Sequence, residues 1–538
     1  MKLVDALVSE LQDISCSELF GIPGDFVLPL LQGLQQNGQL PFYSLHHEPS
    51  VVYAADACAR FAQRPSAVVL TYGAGALNAV NAIAQAYVER VPLVIITGFP
   101  DKQEIDRNIA IHHQAKNLDS QRSILAEVTT VQVRIDNAET ALKDLRYALR
   151  CCQKESRPVL VEIPRSASNL EIAESNFGKL IRRGKNAPRN SAKLITLIAE
   201  RLQTAKRPVL LAGIEVQRYG ASEALQNLAQ QLNIPIVTTL LARAAVTHSH
   251  PCVLGTFVDD TDQLPYHLLQ NSDLIIHFGV IVNDSNFAAY PQFAKGAKVI
   301  QLHQNITVLD DMAFANTDLA SCCEQLLERN LHPFSTWWSK TPITTLIEHE
   351  TWNASTIVEE IDAALVKQSE IVPIISDIGD CLFASLHAKA THVLAPAYYA
   401  SMGYGVPAAL GVYVSSRLRS VVLVGDGAFM MTGLEISQLK AHGAKPIIVI
   451  FNNKCWDMIE AFSPGLSCAS RPECDLQQLT TALGAQSYQA TTIVSFNQAF
   501  QQAWQDTTSI HVIEVLLTNH RSQRLESFAQ RFVQGCSL

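Results

Sequence analysis

Short runs of β-branched and aliphatic residues recur along the chain, separated by stretches whose apolar positions return every three or four residues. The runs fall at 67–70, 93–97, 159–163, 209–211, 236–240, 274–278, 299–302, 371–375, 421–424, 447–451 and 511–516. Between them, Leu142, Leu145, Leu149 and Cys152 mark one helical face, and Leu225, Leu228 and Leu232 a second. Ile357, Ile361 and Leu365 mark a third. Continuous apolar strands alternating with amphipathic helices predict an α/β fold of parallel sheets. The pattern breaks twice. Residues 171–192 are polar and basic without periodicity, and 331–352 carry prolines, the pair Trp337-Trp338 and no strand pattern. Borders placed there give three doubly wound parallel-sheet domains, at about 1–170, 185–335 and 350–538. Arg157-Pro-Val-Leu closes the first and Arg207-Pro-Val-Leu opens the second, a weak internal echo.

Composition narrows the class. A chain of 538 residues is too long for one core, and 48% hydrophobic against 17% charged residues suits buried globular interiors. The net charge of −9 argues against nucleic-acid or anionic-membrane partners. Twelve cysteines include the adjacent pairs Cys151-Cys152 and Cys322-Cys323 on helical segments, without metal-ligand spacing, so reduced thiols are expected. Acidic residues interrupt the N-terminal apolar pattern, which is no signal peptide. The apolar stretch 397–414 is broken by Gly403, Gly405, Pro407 and Gly411. A cytoplasmic enzyme is the expectation.

The richest chemistry lies near the C-terminus. Gly425-Asp426-Gly427 follows one short apolar strand, and 25 residues later Asn452-Asn453 follows another. The spacing puts a carboxylate and a carboxamide at one edge of a parallel sheet, where both offer hard oxygen ligands of the kind Mg²⁺ takes with phosphate. The glycines let backbone amides approach a diphosphate. Three further candidates lie near the N-terminus: Glu48 in Leu45-His-His-Glu-Pro-Ser, Asp25 in Gly21-Ile-Pro-Gly-Asp-Phe, and the pair His112-His113. Taken singly, a loop glutamate, an N-cap and a structural histidine pair account for them. His46-His47 reads as ordinary loop.

Together these residues resemble the thiamine diphosphate-dependent 2-keto acid decarboxylases, the group acting on pyruvate, indolepyruvate and phenylpyruvate. The resemblance covers nearly the whole chain. It runs through Thr71-Tyr-Gly-Ala-Gly-Ala, Ala86-Tyr-Val-Glu-Arg-Val-Pro, Gly379-Asp-Cys-Leu-Phe and Tyr398-Tyr-Ala-Ser-Met-Gly to Arg531-Phe-Val-Gln-Gly. It implies pyrimidine-binding, central and diphosphate-binding domains. It also implies a homo-oligomer, usually a dimer of dimers, with thiamine diphosphate and Mg²⁺ held between subunits. Asp426, the Asn453 side chain and the Cys455 carbonyl then become metal ligands. Glu48 becomes the acid that activates the cofactor's pyrimidine N1′, and Asp25, His112 and His113 the polar relay around the reacting carbon. Met402 falls at the bulky position that props the cofactor in its bent form, and main-chain groups of Ala400 and Met402 hold the pyrimidine. Asp380, Gly427 and Ala428 fall beside the diphosphate. Trp456, where relatives often have Tyr, is counted with the cofactor contacts.

One departure bears on the substrate. Many members carry a glutamate six residues after the second Asn, where this chain has Ile459. Glu460 lies one step on, about 100° around a helix. Leu382 stands where pyruvate-preferring members place a large Trp. With Thr71, Leu382 and Ile459 are assigned to the substrate pocket, whose wide apolar wall favours an aromatic or long side chain. The resemblance thus implies decarboxylation of a 2-oxo acid, phenylpyruvate or indolepyruvate, to the aldehyde and CO₂. Two alternatives stay open: a carboligase or flavin-associated synthase of the same fold, and a non-catalytic binding protein built on it. Asp284 suggests an inter-domain path for substrate activation, or a plain surface turn.

Overall fold

The computed structural model describes residues 1–172, 189–258, 263–283, 296–339, 352–365, 371–386, 388, 392–517 and 521–535. Much of both predicted breaks, at 173–188 and 340–351, lies outside the described residues, as does Asp284. The first sheet takes β1 (Leu19–Gly21), β2 (Phe42–Ser44), β3 (Ser66–Leu70), β4 (Leu93–Phe99), β5 (Val131–Arg134) and β6 (Val159–Pro164). They run in the order β2-β1-β3-β4-β6-β5, with every pair parallel. The second takes β7 (Pro208–Ala212), β8 (Ile236–Thr239), β9 (Val253–Phe257), β10 (Leu274–Phe278), β11 (Lys298–Leu302), β12 (Asn305–Leu309) and β13 (Met312–Thr317). The third takes β14 (Ile374–Ser376), β15 (Val393–Leu394), β16 (Val421–Gly425), β17 (Ile447–Asn452), β18 (Gln486–Ala490) and β19 (His511–Leu516). Its order is β15-β14-β16-β17-β19-β18, again all parallel.

The central strands β3, β4, β6 and β17 are buried along their whole length, which is why they read as unbroken apolar runs. Two details depart from expectation. The central sheet is mixed, because β12 pairs antiparallel with both β11 and β13. Only His303 and Gln304 join β11 to β12, too few residues for a parallel crossover. The strand expected at 371–375 is Ile374–Ser376, beginning directly after Pro373, which has no N–H for a ladder.

First and third domains share a seam. Helix Glu48–Ala62 lies against helix Gly405–Ser416 so closely that a Cβ on Gly411 would sit 2.0 Å from the Ala54 carbonyl oxygen. One apolar cluster runs through both, from Val68 and Tyr53 to Leu410, Val422 and Ile448. Buried charges are paired there, as burial demands: Arg60 meets Asp56 at 2.5 Å and Glu89 at 2.7 Å. Glu89 in turn accepts the Tyr398 and Tyr399 amides at 2.8 Å each. Among the described residues, no helix is long and apolar enough to cross a membrane.

Candidate active site

The carboxyl ends of parallel strands are where α/β folds present ligands, and two such edges carry the chemistry here. At the first, Asp25 follows β1, Glu48 follows β2, Thr71 follows β3, His112 and His113 follow β4, and Arg165 follows β6. His112 Nε2 lies 2.5 Å from Asp25 Oδ2, and Arg165 Nη2 donates to the same oxygen at 2.7 Å. Thr71 donates its hydroxyl to Asp25 Oδ1 at 3.3 Å, and His113 Nδ1 stands 4.0 Å from that oxygen. Burial alone would raise the Asp25 carboxyl. The hydrogen bond and charge of His112, with the charges of Arg165 and His113, outweigh it and hold Asp25 below the usual carboxylate range. Gly73 makes room for the histidines: its φ is +62°, and a Cβ there would sit 1.9 Å from the His113 carbonyl oxygen. Glu48, half-buried, opens its helix and accepts Asn78 Nδ2 at 2.6 Å.

At the third-domain edge, buried Asp426 begins helix Asp426–Thr432 and accepts the Gly427 amide on Oδ1 at 3.0 Å. The Lys454 backbone also bonds it, which brings the Asn-Asn turn alongside. The two asparagines divide their roles. Asn452 turns inward and donates to Glu514 Oε1 at 2.6 Å, while half-buried Asn453 accepts the Cys455 amide at 3.2 Å. Burial, with Asp457 and Asp426 close by, pushes the Cys455 thiol up to about 11. The sulfur therefore stays protonated, a poor partner for a hard cation, and leaves the carbonyl as the useful donor. The Trp456 ring lies over Gly427, where a Cβ would meet it at 2.4 Å. Asp380 accepts the Ser522 amide at 3.0 Å and also its hydroxyl, yet burial pushes it up to about 6.

The segment that carries Ala400 and Met402 is fixed from both domains. Glu89 takes the Tyr398 and Tyr399 amides, Asp377 takes the Gly403 amide at 3.2 Å, and Ala400 is held at φ +61°. Ala428 is buried on the Asp426 helix. Leu382 is buried in an apolar cluster with Phe383, Ala397 and Leu525, against which Tyr398, Met458 and Phe528 pack. Ile459 is exposed on the same short helix as Met458. Glu460 is turned away and accepts the Gly465 amide at 2.8 Å. Among the described residues, no hydrogen bond or ion pair joins the Asp25–Glu48 group to the Asp426–Asn453 group within the chain.

The residues at the third edge fit a divalent cation with a diphosphate. Asp426 is pushed up to about 6 by burial despite the Arg471 charge beside it, and a cation there would relieve it; Asp377 and Asp380 are likewise raised to about 6. The donors offered are a carboxylate, a carboxamide and a carbonyl, which is a magnesium-like set. Arg471 stands in at present: its Nη1 is 3.1 Å from Asp426 Oδ2 and its guanidinium lies 5.1 Å from the Trp456 ring centroid. That buried nitrogen faces Asp426 as an ion pair without hydrogen-bond geometry. A cavity of about 290 Å³ adjoins, lined by Asp426, Asn452, Lys454, Arg471 and Glu514 among others.

Reading the sequence missed Arg165, Arg471, Arg521 and Ser522. Arg165 directly follows β6, and Arg521 and Ser522 lie a few residues beyond β19, so strand ends were the available signal. Arg521 bonds Asp457 at 2.7 Å beside the Ser522–Asp380 contact. Arg471 comes from a loop that forms an isolated bridge between Ser470 and Cys455, and gives no sequence signal of its own.

Three family models match the chain. They are the thiamine pyrophosphate enzyme N-terminal TPP binding domain at residues 1–123, the central domain at 195–329, and the C-terminal TPP binding domain at 377–515. The indole-3-pyruvate decarboxylase of Azospirillum brasilense is 32% identical over 99% of this chain and 98% of its own length. The pyruvate decarboxylase of Kluyveromyces lactis is 22% identical, covering 95% of this chain and 94% of the relative. Pyruvate decarboxylase isozyme 2 of Saccharomyces cerevisiae is 23% identical with the same coverage. A full-length relative above 30% identity and three domain matches in order fix the assignment: the chain belongs to the thiamine diphosphate-dependent 2-oxo acid decarboxylases.

Proposed function

We propose that the chain decarboxylates an aromatic or long-chain 2-oxo acid, phenylpyruvate or indolepyruvate, to the aldehyde and CO₂ in the cytoplasm. The observation that carries the substrate class is the apolar wall. Leu382 lies buried against Phe383, Ala397 and Leu525, with exposed Ile459 on the neighbouring helix and Glu460 bonded elsewhere. Such a wall gains more from burying a ring than a methyl group. The similarity to an indole-3-pyruvate decarboxylase supports the same choice.

Bound thiamine diphosphate supplies the carbon nucleophile and the electron sink. The chain's own residues do the rest. Asp426, Asn453 and the Cys455 carbonyl hold Mg²⁺, and Gly427, Ala428, Asp380 and Trp456 line the diphosphate. Ala400 and Met402 seat the pyrimidine, and Glu48 bonds its N1′. Asp25, His112 and His113, with Thr71 behind Asp25, move protons at the substrate carbon and its oxygen. Residues 1–170, 185–335 and 350–538 serve as pyrimidine-binding, central and diphosphate-binding domains. Among the described residues, the two polar edges do not bond to each other within one chain. We therefore place each active site between the first domain of one protomer and the third domain of another, in a homo-oligomer built as a dimer of dimers. A coupled aldehyde assay across pyruvate, branched-chain, phenyl- and indolepyruvate, with Mg²⁺ and thiamine diphosphate, tests the reading. A preference for pyruvate would sink the aromatic assignment.

A further inference from the structure

We propose that Arg165 is a positioning residue that keeps Asp25 ionised and ties it to the loop carrying His112 and His113. The inference rests on the reading of Asp25 and His112 as the proton relay at the substrate.

The guanidinium is placed for two jobs at once. Nη2 donates to Asp25 Oδ2 at 2.7 Å, and Nη1 donates to Glu104 Oε1 at 2.9 Å. Its plane lies over the Phe26 ring, 4.0 Å from the centroid, and the same ring is 4.9 Å from His112 and 5.9 Å from His113. Glu104 sits near the start of the segment that leads to the histidines. Its other oxygen caps that start by accepting the Asp101 amide at 2.8 Å. Ser166, next to Arg165, donates both its amide and its hydroxyl to Asp101 Oδ1 at 2.7 Å each. The turn after β6 therefore grips both the relay carboxylate and the root of the relay's loop.

The charged groups facing Asp25 come from two elements: His112 and His113 from the loop after β4, and Arg165 from the turn after β6. Thr71, from the end of β3, contributes an uncharged hydroxyl. Arg165 is thus the guanidinium of the cluster, charged at every working pH. With Arg165 present, Asp25 is held in its ionised form. Without it, Asp25 takes up a proton at higher pH, and the relay loses its base earlier as the medium is acidified.

The test uses the full-length enzyme with Mg²⁺ and thiamine diphosphate, comparing wild type with Arg165→Met, Arg165→Lys and Asp25→Asn. The acid limb of the kcat/KM profile for phenylpyruvate should move up by about one pH unit in Arg165→Met, the size an opposite charge at this range produces. Arg165→Lys should restore most of that shift, because it keeps the charge. Hydrogen exchange of residues 101–118 should quicken in both variants, because a lysine cannot hold Asp25 and Glu104 together. A superimposable pH profile with kcat lowered evenly at every pH, or unchanged exchange in the loop, would overturn the proposal. If Arg165→Met does not fold, Arg165→Lys alone decides: wild-type exchange in its 101–118 segment would be fatal. Full activity in Asp25→Asn would instead discard the underlying reading of the relay, whatever the arginine variants do.

Discussion

The first and third sheets present their polar residues at the same topological place, and their carboxyl groups respond in opposite directions. At the first edge, Asp25 is met by His112, His113 and Arg165 and is held below the usual carboxylate range. At the third, Asp377, Asp380 and Asp426 are buried among backbone amides, a serine and two arginines, Arg471 and Arg521, and all rise to about 6. The first edge already contains its compensating charge, so its groups can pass protons among themselves. At the third, Arg471 and Arg521 do not offset the burial of these carboxyls, and a further cation would. Two things differ: Asp25 is half-exposed where the third-edge carboxyls are more deeply buried, and Asp25 has more counter-charge around it. Those differences separate the acid–base half of the site from the metal-binding half.

The largest effect that tests this division is Glu48→Gln. If the first edge does proton work, turnover should fall by about 10²–10⁴-fold, the range expected when a positioned acid–base group is lost. Cofactor affinity, measured by titration of the cofactor-free protein, should change far less. Near-normal turnover would break the comparison at its first term.

Asp426→Asn probes the other edge and should split by ligand state. The loaded wild-type enzyme gains thermal stability from Mg²⁺ and thiamine diphosphate, and the variant should gain almost none. Without cofactor the order reverses. A carboxyl whose folded value is raised to about 6 costs stability above its unfolded value, by at most about 3 kcal/mol at 1.36 kcal/mol per unit. The cofactor-free variant should therefore melt higher than wild type at pH 7.5, and the gap should close below about pH 4, where both states are protonated. Asp25→Asn, which removes a stabilised anion, should lower the melting point instead. Shifts of the same sign in both variants would erase the contrast between the edges.

Leu382→Trp sharpens the substrate side. Filling the wall beside Phe383 and Leu525 should cut the phenylpyruvate-to-pyruvate ratio of kcat/KM by about 10-fold or more, the scale of steric discrimination in an apolar pocket. An unchanged ratio would mean that the ring binds elsewhere.

How much of this was legible in the sequence depended on how local each device is. Asp426 and Asn453 could be read because two adjacent strands deliver them a fixed distance apart, each within a short motif. The strands β3, β4, β6 and β17 could be read because burial on both faces leaves an unbroken apolar run. The three-residue strands β1 and β2, and the half-exposed β18, are too short or too polar to give that signal. Arg165 escaped because its partners, Asp25 and Glu104, are 140 and 61 residues away in sequence. Arg471 escaped because tertiary ties, the bridge between Cys455 and Ser470 and the Arg471 amide bonded to the Lys454 carbonyl, bring its loop over Asp426. Residues that a site borrows through tertiary folding leave little trace in spacing.

The smallest expected effect comes from comparing the two histidine pairs. His112-His113 sits against Asp25 and a cation, whereas His46-His47 sits at the seam between domains. The His46 amide donates to Glu435 Oε2 at 2.9 Å, and its ring Nε2 is 2.9 Å from the Ser437 hydroxyl. The amide bond survives any side-chain change, because it belongs to the backbone. His46→Ala therefore removes two exposed ring hydrogen bonds, to the Ser437 hydroxyl and, at 3.4 Å, to Gln438 Nε2, a loss of about 0.5–1.5 kcal/mol for each at most. Turnover, pH profile and Mg²⁺ dependence should stay as in wild type, checked by denaturant unfolding beside a standard assay. His113→Ala should show the reverse pattern, with activity falling far more than stability. If His46→Ala costs activity out of proportion to its stability, then the seam belongs to the chemistry, and the line drawn between the two edges of the molecule is in the wrong place.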